Sequence, residues 1–201
     1  MNHWDVDLFY RVNHLAGTWP AVDRLMVFFA ADAIYLYALL LVIAWFALPR
    51  RDGAARHALV TSALAALFGL AVNFVTGHYW FRPRPFAVLP AGSFRQLIPH
   101  APDASFPSDH ATASFALASG AWGRTPRWIS VLFTLMAVVI MVARVWVGVH
   151  WPTDVLGGLV VGVLSGRILA WASPLFRPLT NLGLRLFRYG NYAPQWRRSY
   201  R

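Results

Sequence analysis

Cysteine, lysine and glutamate are all missing from this 201-residue chain. Without a thiol there is no disulfide, no cysteine nucleophile and no thiolate metal site. Charge of either sign is scarce, at 13% of residues, and the acidic side rests on eight aspartates alone. No cluster of carboxylates could hold a divalent cation through several oxygens, so no metal or other cofactor is expected. The start, Met1-Asn2-His3-Trp4-Asp5-Val6-Asp7, also lacks the basic opening and small-residue cleavage site of a secretory signal, and no removable peptide is read there.

What is present is apolar and rich in arginine. Hydrophobic residues make up 58% of the chain and the mean hydropathy is +0.47, too apolar for an ordinary soluble domain. Several windows are long enough to cross a bilayer, so the expected fold is an all-α, polytopic membrane helix bundle. The formal net charge of +10 comes entirely from arginine. Such a balance suits either nucleic acid or a membrane surface. The apolar segments favour arginines on the cytoplasmic side facing anionic headgroups, so membrane phospholipids are expected as partners and nucleic acid is not.

Along the chain, Trp4, Leu8, Phe9, Val12 and Leu15 recur at helical spacing, which predicts an amphipathic helix lying in the interface. About five spans follow, near 31–48, 57–77, 108–122, 128–147 and 152–173. The third is weakly hydrophobic and full of Ala, Ser and Gly, which places it centrally, where helices approach closely. Gly157, Gly158, Gly162 and Gly166 give the fifth a similar face. A single integral-membrane domain is expected: interfacial helices over 1–30, a catalytic bundle over 31–173 and a basic amphipathic tail over 176–201. That tail carries Arg177, Arg185, Arg188, Arg197, Arg198 and Arg201 among aromatic and aliphatic residues. With the basic loops 49–56 and 123–127 and the tail inside, the N-terminus and the linker 78–107 lie outside.

Three polar pieces fall on that outer side. Arg82-Pro83-Arg84-Pro85-Phe86 offers guanidinium forks matched to phosphate oxygens, or simply a pair of interfacial anchors. Phe106-Pro107-Ser108-Asp109-His110 opens the third span. Ser108 is a candidate N-cap, and the helix start would meet an anion beside His110. Asp109 reads as a first-turn acid. The third piece, Ala143-Arg144 through His150 to Asp154, joins two apolar segments. Pro152 suits a helix start, so Asp154 would lie about one turn beyond His150 on the same side, able to orient the imidazole. Asn73 reads as an interhelical hydrogen-bonding residue. His100 and Asp103 belong to a solvated loop or guard the mouth of the site. His78, Tyr79 and Trp80 read as an interfacial belt, and His3, His14 and His57 as interfacial residues.

Taken in this order the pieces resemble the type 2 phosphatidic acid phosphatase (PAP2) superfamily, which includes bacterial acid phosphatases and vanadium haloperoxidases. Its signature, Lys-x6-Arg-Pro, Pro-Ser-Gly-His and Ser-Arg-x5-His-x3-Asp, is matched at Arg84-Pro85, Pro107-Ser108-Asp109-His110 and Ala143-Arg144 to Asp154. Gly77 stands in the lysine position, Asp109 in the glycine position and Ala143 in the serine position. Arg82 and His78 are the auxiliary candidates for the missing lysine. Pro-Ser-Asp-His, preceded by Arg-Pro-Phe and followed by His-x-Pro-Thr-Asp, looks like the bacitracin-resistance branch of undecaprenyl-diphosphate phosphatases, as does Ala31-Asp32-Ala33 before an apolar span.

The resemblance implies a PAP2/acid-phosphatase-like core and a metal-free mechanism. His150 would attack the terminal phosphorus of a polyprenyl diphosphate, Asp154 would orient it and His110 would protonate the leaving group. Arg84, Ser108, Arg144 and the helix start at Asp109 would hold the phosphoryl oxygens. It places the enzyme in a bacterial inner membrane with its site facing the periplasm. Two other readings remain: the same chemistry on phosphatidylglycerophosphate, phosphatidate or diacylglycerol diphosphate, and a non-catalytic lipid-phosphate carrier.

Overall fold

The helix that organises the protein is too short to cross a bilayer. In the computed structural model, which describes residues 3–193, α6 (Asp109–Ala121) runs through the middle of the bundle and packs against α4 (Gly53–Tyr79), α7 (Arg127–Trp146) and α8 (Pro152–Trp171). Its composition explains the position. Ala111, Thr112, Ser114, Ala116, Ala118 and Ser119 are buried small residues, and α8 brings glycines to meet them. A Cβ built on Gly162 would come within 2.4 Å of the Thr112 carbonyl oxygen, and one on Gly166 within 2.8 Å of the Gly120 nitrogen. The two backbones touch, as small-residue faces allow.

Around this pair the apolar core runs through Leu59, Phe115, Leu117, Ile129, Phe133 and Ile140, with Tyr37 of α3 (Ala33–Ala47) donating to the Phe133 carbonyl at 2.8 Å. Among the described residues, three helices, α4, α7 and α8, are long and apolar enough to cross a membrane. They coincide within a few residues with the second, fourth and fifth expected spans. The first expected span divides differently. α3 has 15 residues, a length of about 22 Å against about 30 Å of hydrocarbon, and only together with α2 (Pro20–Ala31), bent by 73° at Asp32, does it pass the same test. The third expected span, α6, has 13 residues. Its small side chains suit a helix enclosed by neighbours rather than one sized to the bilayer.

α1 (His3–Asn13) forms where the amphipathic pattern predicts it, yet it is fastened to the end of the bundle. Asn13 Nδ2 donates to the carbonyls of Arg95 and Trp146, both at 2.8 Å, and Asn13 Oδ1 accepts from the Arg95 amide. The proline-rich stretch from Trp80 to Ser108 contains one helical turn, α5 (Pro85–Val88), and is tied down by backbone bonds from Leu97 to Val147, Ser105 to Arg82 and Ser108 to Asp154. Gly148, at φ +82°, allows the Arg95 carbonyl to pass within 2.4 Å of where a Cβ would stand. At the other end, α9 (Arg177–Leu186) is the amphipathic tail helix, with Leu179, Leu182 and Leu186 exposed. Arg197, Arg198 and Arg201 lie outside the described residues.

Candidate active site

Three separate parts of the chain meet at the end of the bundle where α4 finishes and α6 and α8 begin. The α7–α8 turn supplies His150, only 2% exposed. Its Nδ1 donates to the Ser105 carbonyl at 3.0 Å, and its Nε2 accepts from Arg84 Nη1 at 3.0 Å. This pairing fixes the tautomer: a carbonyl can only accept and a guanidinium can only donate, so the lone pair lies on Nε2. Burial, reinforced by Arg144 and Arg84, holds the imidazole well below the usual 6.5, and the ring is neutral.

Arg84 is extended by its flanking prolines into the same space. Nε donates to Asp103 at 2.7 Å and Nη1 to the Val149 carbonyl at 2.9 Å. Arg144, in the last turn of α7, gives Nη1 to the Ala30 carbonyl at 2.7 Å, while its Nε and Nη2 are buried without an acceptor among the described residues. The Ser108 hydroxyl is in the same condition. Ser108 does occupy the N-cap position of α6, as its sequence context predicts, but its side chain caps nothing. Orphaned buried donors are costly, and an oxyanion is the kind of group that would satisfy them.

Asp154 lies 3.5 Å from His150 Nδ1, farther than the Ser105 carbonyl. Its own oxygens are occupied. Oδ2 accepts from the Trp151 amide at 2.8 Å and from the Ser105 hydroxyl, and Oδ1 accepts from Arg82 Nη1 at 2.6 Å. The carboxylate therefore closes the first turn of α8 and grips Ser105, whose carbonyl in turn holds the imidazole. Arg82 also reaches Asp5 of α1 at 2.5 Å, and Asp5 Oδ1 accepts from the Thr153 amide at 2.9 Å.

His110, in the first turn of α6, is half-buried and shares the electrostatic neighbourhood of His150, Arg84, Arg144 and His100. The His100 ring stands 6.3 Å from that of His150, and burial lowers its pKa, with Arg84 and Arg144 adding to the effect. Asp109 is exposed, and its Oδ1 accepts from Asn73 Nδ2 at 2.8 Å, so Asn73 does join α4 to α6. The carboxylate faces sideways, and what position 109 offers an anion is its place at the helix start. His78 is exposed and stacks edge-on with Tyr79. Gly77, in the lysine position, would bring a Cβ to 3.2 Å from Ala104. An apolar cavity of about 380 Å³ between α3, α4 and α6, lined by Ile34, Leu41, Leu67, Leu70 and Leu117, opens onto Asp109 and His110.

Asp5, Ser105 and Thr153 were not singled out by the sequence. Asp5 lies one helical turn from Phe9, on the apolar side of α1, and is 1% exposed. The available signal is its charge, opposite to that of Arg82, but no spacing rule links positions 77 residues apart.

Apolar helices long enough to cross a membrane thus enclose a histidine, two arginines and unpaired donors at one end of the bundle. Comparison with known proteins identifies the family. Residues 55–177 match the PAP2 superfamily, and the chain belongs to it and is a phosphatase. It is 36% identical to the undecaprenyl-diphosphatase BcrC of Bacillus subtilis over 90% of each chain, and 36% identical to the putative undecaprenyl-diphosphatase YbjG of Escherichia coli over 84% of each. The solved structure of Aquifex aeolicus LpxE superposes with a TM-score of 0.68 at 25% identity, covering 84% of this chain and 95% of that one.

Proposed function

We propose that this protein removes the terminal phosphate of a polyprenyl diphosphate, most specifically undecaprenyl diphosphate, leaving undecaprenyl phosphate. The observation that carries the reading is a lone-paired His150 Nε2 at the end of the bundle where Arg144, an electrostatic neighbour of that imidazole, and Ser108, whose amide donates to the Asp154 carbonyl, keep buried, unsatisfied donors. In the free enzyme Arg84 Nη1 rests on that lone pair. An arriving phosphoryl group, richer in negative charge, draws the guanidinium onto its oxygens and leaves Nε2 free to attack.

Nε2 forms a bond to the terminal phosphorus as the bond to the bridging oxygen breaks, giving phosphohistidine and the polyprenyl phosphate. His110, protonated from solvent as the anionic diphosphate binds, donates that proton to the departing oxygen. It then takes a proton from the water that cleaves the N–P bond and releases inorganic phosphate. Arg84, Arg144 and Ser108 stabilise charge on the three peripheral oxygens throughout. The apolar cavity ending at His110 fits an isoprenoid chain. The relatives' names and the 36% identity favour a prenyl lipid over a glycerol lipid. The chain functions as one membrane domain, with bundle 31–173 assisted by α1. Arginines at the opposite end support an active centre facing out of a bacterial inner membrane.

The test is phosphate release by purified protein from undecaprenyl diphosphate, phosphatidylglycerophosphate, phosphatidate and diacylglycerol diphosphate in the presence of a chelator. The prenyl substrate is expected to turn over fastest. Acid-quenched enzyme labelled from the terminal phosphate should carry label on a histidine, absent in His150→Ala. Full activity in that variant would refute the assignment.

A further inference from the structure

A second basic cavity lies at the other end of the bundle, and the reaction above makes no use of it. It measures about 670 Å³ and is enclosed by the start of α4, the α6–α7 turn, α9 and the segment after α9. Arg51, Arg124, Arg177 and His57 line it, with Thr180 and Asn181, and no carboxylate does. His57 and Asn73 are sixteen residues apart on α4, so the cavity stands about 24 Å along the helix axis from the catalytic end.

The fate of a fourth arginine nearby shows what is unusual. Arg56, fully buried, spends its donors on the carbonyls of Trp45, Leu48, Pro49 and Asp52 and stacks on Tyr189 at 3.9 Å. It clamps the α3–α4 turn to the tail. The arginines of the cavity have no such occupation. Arg124 gives Nη1 to Thr61 Oγ1 and the Gly120 carbonyl, leaving its remaining donors without an acceptor among the described residues, and neither Arg51 nor Arg177 has a carboxylate partner there. Asp52 is turned away to cap the Ala55 amide at 2.9 Å. His57 holds the wall in place, pairing through Nδ1 with Thr180 at 2.7 Å and through Nε2 with the Ser173 carbonyl at 3.1 Å.

The surroundings indicate where an anion would come from. α9 exposes Leu179, Leu182 and Leu186, with Leu175 just before it, an apolar face that beds into a bilayer at headgroup depth. Arginines gathered under such a helix lie level with lipid phosphates. We propose that this cavity is a second phosphate-binding site, taking the headgroup phosphate of an anionic membrane lipid at the end of the bundle opposite the catalytic centre.

The experiment titrates the full-length protein in a neutral detergent with phosphatidylglycerol, phosphatidylcholine or inorganic phosphate, reading thermal stability. It compares wild type with Arg51→Gln/Arg177→Gln, two exposed positions outside the catalytic machinery, and with Arg127→Gln/Arg188→Gln, which removes equal charge outside the cavity. Phosphatidylglycerol should stabilise the wild type and the control pair at similar midpoints, phosphatidylcholine neither, and the cavity pair should need at least tenfold more lipid. Equal midpoints in all three proteins, or equal weakening in both pairs, would overturn the site and leave only general surface attraction. If inorganic phosphate alone reproduces the shift, with the same loss in the cavity pair, the phosphate site stands and its lipid source is overturned.

Discussion

Arg82 Nη1 donates to Asp154 Oδ1 at 2.6 Å, and through its other terminal nitrogen the same guanidinium reaches Asp5. Two buried carboxylates from helices at opposite ends of the sequence thus share one cation. Arg82→Gln leaves both uncompensated, which costs about 3 kcal/mol by the usual penalty for breaking a buried pair. In a thermal double-mutant cycle, Asp5→Asn should destabilise the wild type clearly and the Arg82→Gln protein much less. Additive losses would show that the two side chains are independent.

Ser105 acts on the imidazole with its backbone and on Asp154 with its hydroxyl. Ser105→Ala keeps the carbonyl that accepts from His150 Nδ1 but frees one carboxylate lobe. Turnover should fall by about tenfold, equivalent to about 1.4 kcal/mol, with little change in KM. Steady-state kinetics on the prenyl diphosphate give the split directly. A change confined to KM would assign the hydroxyl to substrate binding instead.

The depressed pKa of His150 has a definite sign in stability. Its folded-state value lies below the usual 6.5, so beneath that pH the unfolded chain binds the proton and the native chain does not. The stability tied to neutral His150 is present above about 6.5 and is lost as pH falls toward the folded value. Between about pH 7.5 and about pH 5 the wild-type Tm should drop further than that of His150→Gln, which has no proton to gain. Parallel curves would contradict the buried, neutral assignment.

Packing of α8 on α6 gives a prediction outside the chemistry. Gly162→Ala drives a methyl group to 2.4 Å from the Thr112 carbonyl, so the helices must part. The expected loss is about 1–3 kcal/mol, as for other overpacked cores. Gly123→Ala has open space around it but a φ of +74°, so its smaller cost comes from backbone strain alone. Melting curves of the two variants rank the effects.

The motif residues were legible because each combines charge with an apolar setting or a helix start. Arg84, Ser108, His110, Arg144, His150 and Asp154 do come together at one end of the bundle. Helix identity was legible too: α4, α7 and α8 follow the expected spans closely. What could not be read is whatever depends on pairing between remote segments. Helical spacing does put Asp5, which is buried, on the side of Phe9 and Asp7, which is exposed, on the other, but it does not say which cation Asp5 meets. The linker after α4 shows no regular pattern in the sequence, because its prolines break one. Its order comes from single backbone bonds to Val147 and Asp154, which leave no trace in composition. The expected contact of Asp154 with the imidazole is likewise relayed through Ser105, which lies in none of the motifs: its carbonyl accepts from His150 Nδ1 and its hydroxyl donates to Asp154.

Asp5 meeting Thr153 has a bearing on synthesis. α1 is made well before the α7–α8 turn, so the seat it takes on Thr153 exists only once that turn has been synthesised. Asp154, the second carboxylate on Arg82, belongs to that same late segment. The bracing of His150 thus joins residues from both early and late parts of the chain, and any truncation before α8 removes it.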